Sequence, residues 1–432
     1  MSQKTRLAIA AFLLVGLTVG SVWLGSGSIS PYASTYSHAE SDECGYLYNI
    51  DHWHFLNTFQ MLNGDPKHIW AGSVVLRRVL YPIIAYPFMT HWGFNLGGFI
   101  TNLAIAGLTS LVLIISLFKR FGERAAIVGG LLFATYPGLT YFGGLPYSYF
   151  FIAPATVFAF TTLHWLADSP TMVRSLGTGM FLGILATGYD LLPFFLPTSL
   201  IILLSRRRVL PLLPLALTML APMAFVLWYQ TEVMGLSVSN SNSKIYASIA
   251  DAIRNPTKER YTEWLGLITQ TPGIFLHNFT FSAFAALPVA FCLAYLSSRW
   301  TLRAKLSTPE WSFLVVAGGL WIFNNFAPPY PGWQMRGTWI ARIYQPVFIV
   351  YIFYLARVSA LTSKKHIASA IVLLIAVACA LFQEFVVASP IFGMYRVAGQ
   401  VYHEFYQHAP VESFATHMNA CGARPRGFCK RT

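Results

Sequence analysis

The sequence predicts an all-α polytopic membrane protein of about eleven transmembrane helices with a large first outer loop. Three observations lead there. Of 432 residues, 55% are hydrophobic and only 10% are charged, whereas roughly a quarter are charged in an ordinary soluble domain. Apolar runs of about 17 to 25 residues recur along the chain, each able to cross a hydrocarbon core of roughly 30 Å as a helix that satisfies its own backbone. Lys and Arg gather in alternate connecting segments, as the positive-inside rule requires.

The first span, 7–24, follows Lys4 and Arg6. Its apolar stretch exceeds the roughly 7 to 15 residues of a signal-peptide core, so it reads as a retained anchor. A large outer segment, 25–92, comes next. Spans 93–117 and 125–141 follow, separated by Lys119, Arg120 and Arg124, and then 147–166. Two short runs, 175–189 and 191–205, meet at Asp190, and 210–229 follows Arg206, Arg207 and Arg208. A second outer segment, 230–273, precedes span 274–297. Span 311–326 leads to an outer turn at 327–342, and 340–356 and 367–388 complete the set. Residues 1–388 therefore form one membrane unit, and 389–432 a tail expected outside.

With the N-terminus cytoplasmic, that side collects fifteen Lys and Arg against three acids, Glu123, Asp168 and Glu310, which is +12 of the formal +13. The basic balance is thus a topology signal, and no nucleic-acid partner is expected. Five cysteines are too few to staple a fold. Cys292 and Cys379 read as small buried hydrophobes within spans. Cys421 and Cys429 have the spacing of a short disulfide loop if the tail faces an oxidising compartment, although the basic ending "CGARPRGFCKRT" runs against an outer placement.

Ionisable chemistry concentrates outside. In "SDECGYLYNIDHWHF", Asp42 and Glu43 stand side by side, followed by Asp51, His52 and His54. A helix over 46–62 puts Asp51, His54 and Thr58 on one face, suited to a hydroxyl-rich ligand; a solvated loop of tolerated acids is the competing reading. No tight metal-ligand spacing such as His-Glu-x-x-His occurs, so neither a metal nor another cofactor is expected. Arg77 and Arg78 precede an apolar stretch too short to span. Arginines at headgroup level either bind phosphate bidentately or snorkel to lipid. Arg336 and Arg342 recur outside among Trp333, Trp339, Tyr330 and Tyr344, where aromatic rings suit sugars as well as an interfacial belt. Asp190, in "ATGYDLLPFF", is a carboxylate at the membrane edge, costly enough to be a candidate site residue.

These parts resemble the GT-C superfamily of polytopic glycosyltransferases. The resemblance rests on a first span, an outer loop opening with the acidic pair of "SDEC", the arginine-rich "RRVLYP", short paired spans around "GYDLLPFFLP" and an outer arginine opening "RIYQPVFIVYIFYLAR". The acidic pair lacks the family's usual spacer. The resemblance implies a polyprenyl-phosphate-linked sugar donor, a glycan, lipid or protein acceptor, and a site facing outward from a bacterial inner membrane. Carried onto this chain, Asp42 is the general base and Glu43 its alternate. Arg77, Arg78, Arg336 and Arg342 receive the donor phosphate, and Asp51, His52, His54, Asp190, Trp333 and Tyr344 contact substrate. Two other classes share many spans and outer arginines: a transporter or flippase of lipid-linked or small polar substrates, and a polysaccharide polymerase or ligase. A transporter predicts ionisable residues near the midplane and an internal repeat, neither of which is evident.

Overall fold

The computed structural model describes residues 2–27, 78–92, 94–143, 148–233, 305–326 and 345–361, with the single positions 58, 62 and 366. Among these residues every regular element is helical. In chain order they are α1 (Gln3–Gly27), α2 (Leu80–Trp92), α3 (Phe94–Phe121), α4 (Glu123–Ala134), α5 (Pro137–Gly143), a 3₁₀ turn (Ser148–Phe151), α6 (Ile152–Asp168), α7 (Met172–Ala186), α8 (Leu192–Ser205), α9 (Leu212–Trp228), a π turn (Tyr229–Val233), α10 (Thr308–Phe326) and α11 (Gln345–Leu361). Among the described residues, four helical stretches are long and apolar enough to cross a membrane: Thr5–Trp23, Gly97–Phe121, Ser148–Asp168 and Leu212–Val233. The expected spans at 274–297 and 367–388, and Cys421 and Cys429, lie outside the described residues.

One expected span is broken. The run 125–141 divides into α4 and α5 at Thr135 and Tyr136. Pro137 has no amide hydrogen to continue the helix, and its ring drives the preceding residue out of the helical region. Apolarity alone does not register that interruption.

Helices α6 and α11 form the centre of the bundle and are buried along most of their length. Aromatic side chains lock them to their neighbours: Phe160 meets Phe313 and Phe353, Phe194 stacks on Phe313, and Tyr136 stacks on Phe348 with centroids 4.3 Å apart. The anchor α1 is held by hydroxyls instead. Thr18 donates to Leu14 O and to Ser110 Oγ on α3, and Ser21 to Ala134 O at the end of α4. Lipid tails are as apolar as Leu, so helix association here rests on such hydrogen bonds and on close packing rather than on the hydrophobic effect.

Close packing is tightest between α7 and α9. A Cβ on Gly179 would fall 2.1 Å from Thr218 Oγ1 and 2.5 Å from Leu215 O, and one on Gly183 2.4 Å from Met219 O. Only hydrogen fits at these two positions, spaced by one helical turn on the facing side. By contrast, a Cβ on Gly177 meets nothing nearer than the Trp165 ring at 4.0 Å.

The three acids assigned to the cytoplasmic side each clamp two helices. Arg6 on α1 pairs with Glu123 on α4, Arg120 on α3 with Asp168 on α6, and Arg357 on α11 with Glu310 on α10. Glu310 is fully buried. It receives Arg357 Nε at 3.1 Å and Nη2 at 2.6 Å, and its Oε2 also accepts the Ser307 amide at 2.6 Å, closing the first turn of α10. Arg357 Nη2 further donates to Lys305 O.

Two outcomes follow from this packing. Gly183→Val should lower the melting temperature of the detergent-purified protein by an amount equivalent to about 1–3 kcal/mol of overpacking, whereas Gly177→Ala should leave it unchanged. Glu310→Gln leaves a largely buried guanidinium without its counter-charge and should destabilise by about 3–5 kcal/mol. Glu123→Gln should cost at most about 1 kcal/mol, because the Arg6 side chain opposite it is 53% exposed. Chemical denaturation in mixed micelles reads both.

Candidate functional site

The end of the bundle opposite these clamps carries a second polar cluster. It begins with the chain leading into α2. The amides of Val79 and Leu80 both donate to Thr187 O, at 2.7 and 3.1 Å. Thr187 caps the C-terminus of α7 and turns its own hydroxyl back onto Ile184 O. The short turn that follows carries Tyr189 and Asp190 before α8 starts. Two segments far apart in sequence are thus tied by backbone hydrogen bonds before any side chain acts.

The side chains complete the joint. Arg78 donates from Nε at 3.1 Å and Nη2 at 2.8 Å to Asp190 Oδ2, across 112 positions of sequence. Its Cζ lies 4.1 Å from the centre of the Tyr189 ring. Only 8% of Arg78 is exposed. A guanidinium so far out of water needs a counter-charge, and an aromatic face beneath it adds cation–π attraction. Asp190 sits immediately before the N-terminus of α8, where the helix dipole favours negative charge.

Around this pair lies a ring of buried polar and aromatic groups. Tyr189 meets Tyr149 edge-on, and Tyr149 O accepts Nε2 of Gln345 at 3.0 Å, joining the start of α11. Tyr81 stacks on Phe151 and donates its hydroxyl to Asn102 Oδ1 on α3, while Asn102 Nδ2 donates to Gly143 O at the end of α5. Tyr81 lies outside the membrane-crossing helices, and burial raises its hydroxyl far above the ordinary tyrosine range, the Asn102 bond opposing only in part. It therefore acts as a neutral donor. Of the first outer segment's other described positions, Thr58 is buried and Leu62 is exposed.

Of the residues expected to form a site, Arg78 and Asp190 are described, and they are in direct contact. Asp42, Glu43, Asp51, His52, His54, Arg77, Arg336, Arg342, Trp333 and Tyr344 lie outside the described residues. Tyr81, Asn102, Tyr149, Tyr189 and Gln345 were not anticipated. A sequence signal existed for Asn102, an amide within an apolar run, which hydrocarbon tolerates only with partners. Among the described residues, no three His, Cys, Asp or Glu side chains converge as metal ligands do.

No protein-family profile matches the chain. No curated protein matches it either. Among solved structures it is similar to the crystal structure of ArnT from Cupriavidus metallidurans in the apo state, at 16% identity, covering 92% of this chain and 78% of that one with a TM-score of 0.44. At that score, residue positions and activity do not carry from one chain to the other.

The pairing of Arg78 with Asp190 is open to a double-mutant cycle. Asp190→Asn and Arg78→Gln should each destabilise the protein, with a coupling energy between them of about 0.5–3 kcal/mol. Additive losses in thermal melts would mean that the two side chains act independently.

Proposed function

We propose that the chain is a GT-C-type membrane glycosyltransferase that moves a sugar from a polyprenyl-phosphate donor to an acceptor hydroxyl at the extracytoplasmic face of a bacterial inner membrane, with its N-terminus cytoplasmic. One observation carries this reading: two of the segments on which the resemblance rests, "RRVLYP" and "GYDLLPFFLP", meet through Arg78 and Asp190. Their meeting point is at the opposite end of the bundle from the Arg–acid clamps, as an outward-facing site requires.

In this reading Asp42 takes the proton from the acceptor hydroxyl as its oxygen attacks the anomeric carbon, with Glu43 as the alternate base. A carboxylate in a partly dehydrated crevice has its pKa raised toward usefulness for that step. The bond between the anomeric carbon and the phosphate oxygen breaks, and the lipid phosphate leaves with the electron pair. Arg77, Arg336 and Arg342, with Arg78, stabilise the charge that develops on it. Two of Arg78's donors are committed to Asp190, so Arg78 also holds the phosphate end of the site in register. Asp51, His52, His54, Trp333 and Tyr344 contact sugar or acceptor. The acceptor is a glycan, a lipid or a protein.

The test is transfer from a radiolabelled polyprenyl-phosphate sugar by membranes containing equal amounts of each variant. Asp42→Asn should lower the rate by about 10²- to 10⁴-fold, the range of general base catalysis. Undiminished transfer by both Asp42→Asn and Glu43→Gln would overturn the base assignment. Mass spectrometry of lipid-linked sugars should reveal a donor that accumulates when the gene is deleted; unchanged donors and unchanged surface glycans would turn the reading toward transport.

A further inference from the structure

The membrane end opposite the candidate site carries a feature that the proposed transfer does not use. Helix α8 closes at Ser205, and Arg206, Arg207 and Arg208 follow in an exposed turn. The Arg208 amide reaches back to Leu203 O at 2.9 Å and the Arg207 amide to Leu204 O at 2.8 Å, the paired bonds of a Schellman ending. The residue at the left-handed position of such an ending is usually Gly or Asn. Here it is Arg207, with φ of 54°, and among the described residues no other non-glycine adopts a positive φ.

A single cation would serve the dipole of α8, and glycine would make the same turn without strain. The chain instead has three guanidiniums in succession, one of them at a strained position, and backbone strain of this kind points to a function that maintains it. No side chain of Arg206, Arg207 or Arg208 forms an ion pair or hydrogen bond with another described residue. The described acids at this end, Glu123, Asp168 and Glu310, are already engaged by Arg6, Arg120 and Arg357.

The surroundings identify what would meet these charges. Val209 and Leu210 follow directly and are 66% and 79% exposed. Helix α9 then presents Leu213, Leu217, Leu220 and Phe225 outward, with Trp228 exposed at its far end. A helix apolar on its outer face and closed by an aromatic residue at one end and arginines at the other is seated in lipid, with the arginines at the headgroups. Fourteen residues of α8, about 21 Å at 1.5 Å each, separate this turn from Asp190, too far for it to touch a phosphate held there.

We propose that the turn Arg206–Arg208, with Val209 and Leu210 beside it, is a binding site for an anionic phospholipid. The guanidiniums grip the headgroup phosphate, and the two apolar side chains lie against its acyl chains.

The full chain, reconstituted in nanodiscs of phosphatidylglycerol and of phosphatidylcholine, tests this by its melting temperature. The wild type should melt higher in phosphatidylglycerol. Arg206→Gln, Arg207→Gln and Arg208→Gln together should remove more than half of that gap, while Lys119→Gln with Lys305→Gln, which also removes exposed cations from this end, should preserve it. Arg207→Gly separates the site from the fold: it should melt higher than wild type in phosphatidylcholine, because the strain is relieved, yet gain less from phosphatidylglycerol. If the triple variant fails to insert, Arg207→Gly carries the test alone. An unchanged gap in the arginine variants, or an equal loss in the lysine variant, overturns the site. Equal protection of the wild type by inorganic phosphate in phosphatidylcholine overturns the lipid assignment in favour of a free anion.

Discussion

Hydrocarbon cannot solvate charge, and this constraint organises the protein. Among the described residues, charged side chains are confined to the two ends of the helical bundle, and Arg78 and Glu310, which are drawn inward, are paired. At one end Glu123, Asp168 and Glu310 each join two helices through an arginine. At the other, Arg78 and Asp190 join the lead-in to α2 with the turn before α8. Between the ends, polar contacts among the described residues are made by hydroxyls, such as Thr18 to Ser110 and Ser21 to Ala134 O. The low dielectric that makes an unpaired charge so unfavourable also makes the inward pairs, Arg78 with Asp190 and Arg357 with Glu310, strong determinants of which elements are neighbours.

The two ends use their charges differently. The clamp of Glu310 with Arg357 is closed by backbone groups of the chain leading into α10, the Ser307 amide and the Lys305 carbonyl. It reads as structural. The Arg78–Asp190 pair lies among Tyr189, Tyr149, Tyr81 and Gln345, a mixture of aromatic faces and hydrogen-bonding groups of the kind that receives sugars and phosphates. That contrast makes the second cluster the better candidate site and leaves the first as the frame that holds it.

Much of the fold was legible in the sequence because hydropathy and charge bias act locally. Eight of the expected spans coincide with single described helices and a ninth, 125–141, with a broken one, and the charge count grouped Arg120 with Asp168 and Arg357 with Glu310 on one side, where each pair is found in contact. The break at Pro137 was also written in the chain, but window averaging hid it. The candidate site was legible only in part. Arg78 and Asp190 each stood out as charges at a membrane edge, yet nothing local links positions 112 apart.

Composition and the length of its apolar runs therefore determined that this chain is a helical membrane protein, because those properties depend on single residues and their solvent. Only the tertiary structure decided that Arg78 belongs to Asp190, that α7 and α9 meet at Gly179 and Gly183, and that Tyr149 and Gln345 share a hydrogen bond. Those facts depend on which helix packs against which, and a single chain's pattern of apolar runs leaves that choice open.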